Sequence, residues 1–247
     1  MTRWSWLGVG LGAYAVCLVA TAPATLLDAI LRETSDGRLR LAEAQGTIWS
    51  GAGQIEIRDA DARNGIAKSL GWRALPESLW RGQLVCELTL DQAAKPFRVT
   101  LSPSQIELAE ADLDLPAAVL GIAAPKLAPL QLTGEAHLHI VSLRVDRNEV
   151  RGIAMLQWLA AGSALTPVSP LGDYELRLEG DGPAMHALLR TLRGPLQLEG
   201  NGTWTTGRNP LFHATARVPP QQLQQLAPML RLIAVERSPG LFELELK

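Results

Sequence analysis

Hydrophobic and polar residues alternate with a period of two along most of the chain. Leu39 and Leu41 alternate with Arg38 and Arg40, and Ile55 and Ile57 flank Glu56. Cys86, Leu88 and Leu90 are interleaved with Glu87 and Thr89, and Ile106 and Leu108 with Gln105 and Glu107. The pattern recurs at Leu113 and Leu115, at Leu130 through Ile140, at Tyr174, Leu176 and Leu178, and at Leu196 and Leu198. It closes with Phe242, Leu244 and Leu246 against Glu243 and Glu245. Each stretch reads as a strand with one face in a core and the other in water. Glycines at 46, 51, 65, 82, 134, 180, 182, 200 and 202 punctuate these runs at hairpin-like spacing. Gly180-Asp181-Gly182 and Gly200-Asn201-Gly202 are expected to be turns. Few stretches could hold a crossover helix, so the strands should pair as antiparallel meanders. Short helices are predicted over 117–122 and 221–226, each led by a proline suited to a first turn, and over 185–192.

One segment breaks the alternation. Residues 4–27 contain no charge, and 24 positions make roughly 36 Å of helix, against a hydrocarbon core of roughly 30 Å. Trp4 and Trp6 stand where an interfacial belt would lie, and Tyr14 is a further amphipathic aromatic. Gly8, Gly10 and Gly12 are of a kind common in spanning helices. The only charges before the run are the α-amino group and Arg3, whereas Asp28, Arg32 and Glu33 follow it. That bias places residues 1–3 in the cytoplasm, a transmembrane helix at 4–27 and residues 28–247 across the membrane. A cleaved signal peptide is the competing reading. Ala20-Thr21-Ala22 offers a small-x-small site, but Pro23 would follow the scissile bond, and the apolar run exceeds a usual signal core. Ala22-Pro23-Ala24 is a second such site. Both readings export the rest of the chain.

The fold class that follows is mainly β: an N-terminal transmembrane helix, then a twisted, mostly antiparallel sheet built from two weakly repeated meanders with short helices. The halves fall at about 28–140 and 141–247. Trp72 with Leu75-Pro76, Leu79 and Gly82 precedes one strand, and Trp158 with Thr166-Pro167, Leu171 and Gly172 precedes another.

Composition narrows the function. Hydrophobic residues make up 47% of the 247, which excludes a disordered chain, and net charge is −2, which excludes a dedicated nucleic-acid binder. Residues 28–247 carry 22 basic and 25 acidic residues without a block of like charge, a mixed solvated surface. Cys17 lies in the apolar run and Cys86 stands alone beyond it, so no disulfide is expected there and Cys86 reads as a small buried hydrophobe.

No catalytic constellation emerges, and neither a cofactor nor a metal is expected. His137 and His139 would share one strand face, but no further ligand accompanies them at metal spacing, so they read as wet-face residues. Trp49-Ser50-Gly51 lacks the glycine two positions before its serine that a nucleophile elbow needs. Asp59, Asp61 and Asn64 lack the offsets of a calcium loop. Asn201-Gly202-Thr203 matches a glycosylation acceptor, meaningful only in a eukaryotic secretory pathway. Trp49, Trp72, Trp80, Trp158 and Trp204 are expected in the core or at sheet edges, with exposed anchoring of a partner as the alternative.

The most distinctive segment is Gly46-Thr47-Ile48-Trp49-Ser50-Gly51-Ala52-Gly53, about twenty residues after the apolar run. It is followed by Leu70-Gly71-Trp72-Arg73-Ala74-Leu75-Pro76, Gly82, Gly152, Trp158 and Leu171-Gly172-Asp173-Tyr174. This order resembles the type II secretion system protein N family over nearly the whole chain. The sequence departs in lacking a bulky strand residue at Thr215 and Ala216. The resemblance implies a non-catalytic accessory component of the bacterial inner membrane, single-pass, with its bulk in the periplasm. Its partners would be other inner-membrane and periplasmic secretion subunits, plus membrane lipid through the N-terminal helix. Gly46, Trp49, Ser50, Gly51, Trp72, Pro76, Gly82, Trp158 and Gly172 are the residues that carry it. A weaker similarity is to the lipid-handling β-grooves of AsmA-type proteins.

Overall fold

The computed structural model describes residues 3–58, 65–91, 95–205 and 211–246. Asp59, Asp61 and Asn64 lie outside them, as do the side chains of Trp4 and Trp6. Strand accounts for 58% of the structure, as an open antiparallel sheet. The chain forms two compact units, Met1–Pro96 and Phe97–Lys247.

The first unit holds helices α1 (Arg3–Ala20) and α2 (Thr25–Thr34) and strands β1 (Leu39–Gly46), β2 (Ser50–Arg58), β3 (Gly65–Leu75) and β4 (Leu84–Leu90), with a 3-10 turn at Pro76–Arg81 before β4. The four strands pair in chain order, β1 with β2, β2 with β3 and β3 with β4. The uncharged run is therefore not one helix. Pro23 has no N–H to give a helix and disfavours helical backbone before it. The chain leaves α1 at Ala20 and Pro23 bridges to Thr47. Among the described residues, no helix is long and apolar enough to cross a membrane. Leu27 and Leu31 of α2 pack with buried Ala24, Leu41 and Trp72 into the unit's core.

The second unit contains β5 (Phe97–Leu101), β6 (Gln105–Pro116), α3 (Ala118–Ala123), a 3-10 turn at Pro125–Leu130, β7 (Leu132–Asp146), β8 (Val150–Ser163), β9 (Gly172–Gly182), β10 (Ala184–Arg193), β11 (Gln197–Thr205), β12 (Leu211–Arg217), a 3-10 turn at Pro220–Gln222, α4 (Leu223–Leu230), β13 (Val235–Ser238) and β14 (Leu241–Leu246). The strands lie in chain order except at the end, where β14 sits between β12 and β13. Two expectations fail here. Residues 185–192 are strand, not helix: β10 pairs along its length with β9 and β11, and those ladders outweigh a local helical preference. Neither glycine pair is in a turn: Gly200 and Gly202 are inside β11, and Gly180, Asp181 and Gly182 end β9, paired with β8. A Cβ on Gly202 would lie 2.5 Å from the Phe212 ring, so the missing side chain is what lets that ring lie against the strand.

One face of this sheet is apolar over a long span. A single cross-strand row runs Leu113, Leu138, Leu156, Leu176, Leu189, Gly200, Ala214 and Leu244. The opposite face carries Asp112, His139, Met155, Arg177, Leu188, Asn201, His213 and Glu245 in the adjacent register. Helices close only one end of the apolar face. There Leu226, Ala227, Met229 and Leu230 of α4, with Ala117 and Leu130, bury against Leu132, Leu196, Ala216 and Phe242.

A bulge in β8 is held by a buried carboxylate. Ala160 adopts φ +46°, and its N–H donates to Asp173 Oδ1 at 2.8 Å. Arg193 Nε donates to the same carboxylate. The Ala160 N–H, followed by the Arg193 guanidinium, holds Asp173 below the usual carboxylate range, although burial opposes it. Next to it, burial pushes the Tyr174 phenol up, and its hydroxyl donates to Leu196 O at 2.9 Å. A carboxylate whose folded pKa is depressed contributes stability above its unfolded pKa, and that contribution fades as pH falls through the folded value. Asp173→Asn is therefore expected to lower the melting temperature at neutral pH and to shrink the loss of stability below about pH 4; thermal unfolding of both proteins across pH checks it.

Candidate functional site

The motif residues meet in one turn between β1 and β2. Gly46 turns the chain at φ +94°. Thr47 N–H donates to Ser50 O at 2.9 Å, while its hydroxyl oxygen accepts from Trp49 N–H at 3.2 Å and Ser50 N–H at 3.3 Å. This closed turn grips the segment that joins α1 to α2. Ala24 N–H donates to Gly46 O at 3.1 Å and Ile48 N–H to Ala22 O at 3.0 Å. Trp49 Nε1 reaches the last turn of α1, donating to Val19 O at 2.8 Å. That carbonyl is one of the four a helix end leaves without an internal partner.

Trp72 supports the turn from beneath. Its ring is buried and its Nε1 donates to Thr47 O at 3.0 Å. Gly51 lies opposite Trp72 in the ladder. A Cβ there would stand 2.2 Å from Gln45 O and 2.4 Å from the indole Cζ2, so only glycine leaves room for the ring. Ala74 N–H donates to Trp49 O at 2.6 Å, which ties the end of β3 to the same turn. Gly46, Trp49, Ser50, Gly51 and Trp72 are thus one structural cluster, a clasp between helix and sheet. Pro76 and Gly82 bracket the neighbouring 3-10 turn, Pro76 opening it and Gly82 closing it at φ +68°.

Trp158 and Gly172 lie in the second unit, where part of the clasp recurs. Trp158 Nε1 donates to Thr133 O at 2.9 Å across a separation of 25 residues, the same separation as Trp72 from Thr47. Ala117 N–H donates to Gly134 O at 3.0 Å, as Ala24 does to Gly46. Gly134 also has positive φ, +106°, and a Cβ there would press on the carbonyls of the β8 bulge. Val218 N–H donating to Gly240 O at 2.8 Å, with Gly240 at φ +80°, is a third instance. Gly172 passes close to Arg193 O and to the hydroxyl of Tyr174, whose ring centroid is 5.5 Å from that of Trp158.

Chemistry is sparse. No group of three or more His, Cys, Asp or Glu side chains that could hold a metal occurs among the described residues. His137 pairs with Asp114 and His139 with Asp112 on the exposed face, as cross-strand hydrogen-bonded pairs. A depression of about 860 Å³ in the second unit is lined by Arg190, Glu199, His213, Arg237 and Glu243 with a few aliphatic neighbours. Its charges pair locally, Arg237 with Glu243 and Arg190 with Glu175. Cys86 is half-buried on β4, and burial pushes its thiol up, which disfavours a reactive thiolate. The tryptophans divide between the two expectations: Trp72 is buried and Trp204 lies beside Phe212, whereas Trp80 is 93% exposed.

The family model described as type II secretion system (T2SS), protein N, matches residues 37–245. The chain belongs to this family. No curated protein and no solved structure matches it. The matched span begins after α2 and includes every residue of the clasp contributed by the sheet. Ala22 and Ala24, the clasp's partners on the N-terminal side, stand out in the sequence only as small residues of a candidate cleavage site; the proline between them is the signal for the break in the helix.

Gly51→Ala drives a Cβ into fixed backbone and the Trp72 ring. Its expected cost is about 1–3 kcal/mol, which at about 2–4 °C per kcal/mol for a chain of this size is a clear fall in melting temperature. Gly53→Ala is the comparison, because its nearest neighbours stand farther off, the closest at 3.0 Å; thermal unfolding should rank it well above Gly51→Ala.

Proposed function

We propose that the protein is a non-catalytic accessory component of the type II secretion pathway. In this reading the uncharged stretch 4–27, of which α1 is the first helical part, anchors the protein in the bacterial inner membrane with its N-terminus in the cytoplasm. The sheet stands in the periplasm, where it contacts other inner-membrane and periplasmic subunits of the pathway. The observation that carries the reading is the clasp: Gly46, Trp49 and Gly51 lie in a turn that grips the end of a helix whose uncharged side chains face outward. Leu11 is 72% exposed and Val16 69%, and residues 4–20 carry no charge. Such side chains are costly in water and favourable in lipid. Exposed backbone at sheet edges, such as the short β13, suits strand pairing with another subunit. Crosslinking in native membranes followed by affinity capture should recover secretion subunits, and Trp49→Ala, which loosens the helix from the sheet, should reduce that recovery and secretion together. Recovery of no subunit, with normal secretion in a strain lacking the protein, would sink the reading.

A second reading is favoured by the half-buried leucine row from Leu113 to Leu189. It continues the apolar face past the end that α3 and α4 cover, and an acyl chain could lie along it. Native mass spectrometry of the gently extracted protein should then show bound lipid, and Leu156→Glu with Leu176→Glu should abolish it. A lipid-free wild-type protein would count against this reading.

A further inference from the structure

The 3-10 turn at Pro76–Arg81 puts a large apolar surface into solvent on a rigid support. Trp80 is 93% exposed and Leu79 46%, yet the turn is pinned at both ends. Ser78 Oγ donates to Leu75 O at 2.7 Å and accepts from Val85 N–H at 3.0 Å. Gly82 N–H closes the turn on Leu79 O at 2.9 Å. A tryptophan presented this way is not a core residue that has slipped out; it is held outward.

Its position identifies what it meets. Trp49 joins two elements at one end of the unit: its indole holds Val19 at the close of α1, and its carbonyl holds Ala74 at the close of β3. The turn begins two residues after Ala74. Trp80 therefore projects from the same end of the sheet at which α1 arrives. If α1 is in the bilayer, that end faces the headgroup layer. Trp with a neighbouring Arg is suited to this layer, since the indole combines an apolar body with a polar N–H and Arg81 can meet lipid phosphate.

We propose that Leu79 and Trp80 form a second membrane contact, inserted in the interfacial layer of the bilayer that holds α1. The inference rests on the anchoring of α1 proposed above. A helix alone leaves the sheet free to swing about its junction; a second contact on the far side of Trp49 fixes the sheet's tilt against the membrane.

The test is tryptophan fluorescence of the full chain in phosphatidylcholine–phosphatidylglycerol vesicles, with and without bromine on the shallow acyl carbons. Subtracting the spectrum of Trp80→Phe isolates Trp80, and subtracting that of the double variant Trp4→Phe with Trp6→Phe isolates the helix. The expected result is that the Trp80 emission lies to the blue of its position in water and is largely lost in brominated vesicles. A water-like, unquenched Trp80 beside quenched Trp4 and Trp6 overturns the proposal and leaves the anchor standing. If Trp4 and Trp6 are unquenched as well, the anchor reading falls with it. Quenching of Trp80 alone keeps the contact and removes the anchor.

Discussion

The first unit depends on one short stretch of backbone, the carbonyls of Gly46 and Thr47. Gly46 O accepts from Ala24 and Thr47 O from the Trp72 indole, so a chain segment and a core side chain are satisfied by adjacent peptide groups. Everything else in the unit is arranged to let those two carbonyls be reached. Gly46 takes the positive φ that exposes them, Gly51 vacates the space for the indole, and the Thr47 hydroxyl holds the turn closed. These bonds converge on one turn, so the turn, the segment joining α1 to α2 and Trp72 support one another.

The same constraint explains what the sequence disclosed. Period-2 alternation located most strands because one face of each is solvated and the other is not, and the residues on those faces differ. The Gly-Thr-Ile-Trp-Ser-Gly segment stood out because glycine and tryptophan are there for steric reasons that no other residue meets. What stayed hidden was long-range. The apolar stretch at 185–192 reads as helix in isolation because Ala187, Leu188 and Leu189 lie in a row. Only pairing with β9 and β11 sorts Ala187 inward and Leu188 outward. Gly200 and Gly202 read as a turn until Phe212 is placed against them. The break at Pro23 was visible as a residue but not as a boundary, since lack of charge over 4–27 suggested continuity.

The second unit shows what happens when the clasp is reused. Ala117 and Val218 each donate to a left-handed glycine, as Ala24 does, and each introduces a proline-led helical segment that returns over the sheet. The motif is a way to turn a strand into a covering helix without losing a backbone hydrogen bond. Tryptophan accompanies two of the three instances. In the third, around Gly240, buried Phe242 fills the core instead.

This reuse also limits how much of the sheet can be covered. A helix launched from a strand end reaches only the rows nearest that end. α3 and α4 therefore close over Leu132, Leu196 and Phe242 but not over the row from Leu113 to Leu189, which is only half-buried. An apolar row of that length is tolerated on an otherwise mixed-charge surface only if something else shields it. A strand's alternation fixes the sidedness: moving those leucines to the other face would require a register slip of one residue in every ladder at once. The half-covered face is thus a consequence of covering a wide antiparallel sheet from its ends.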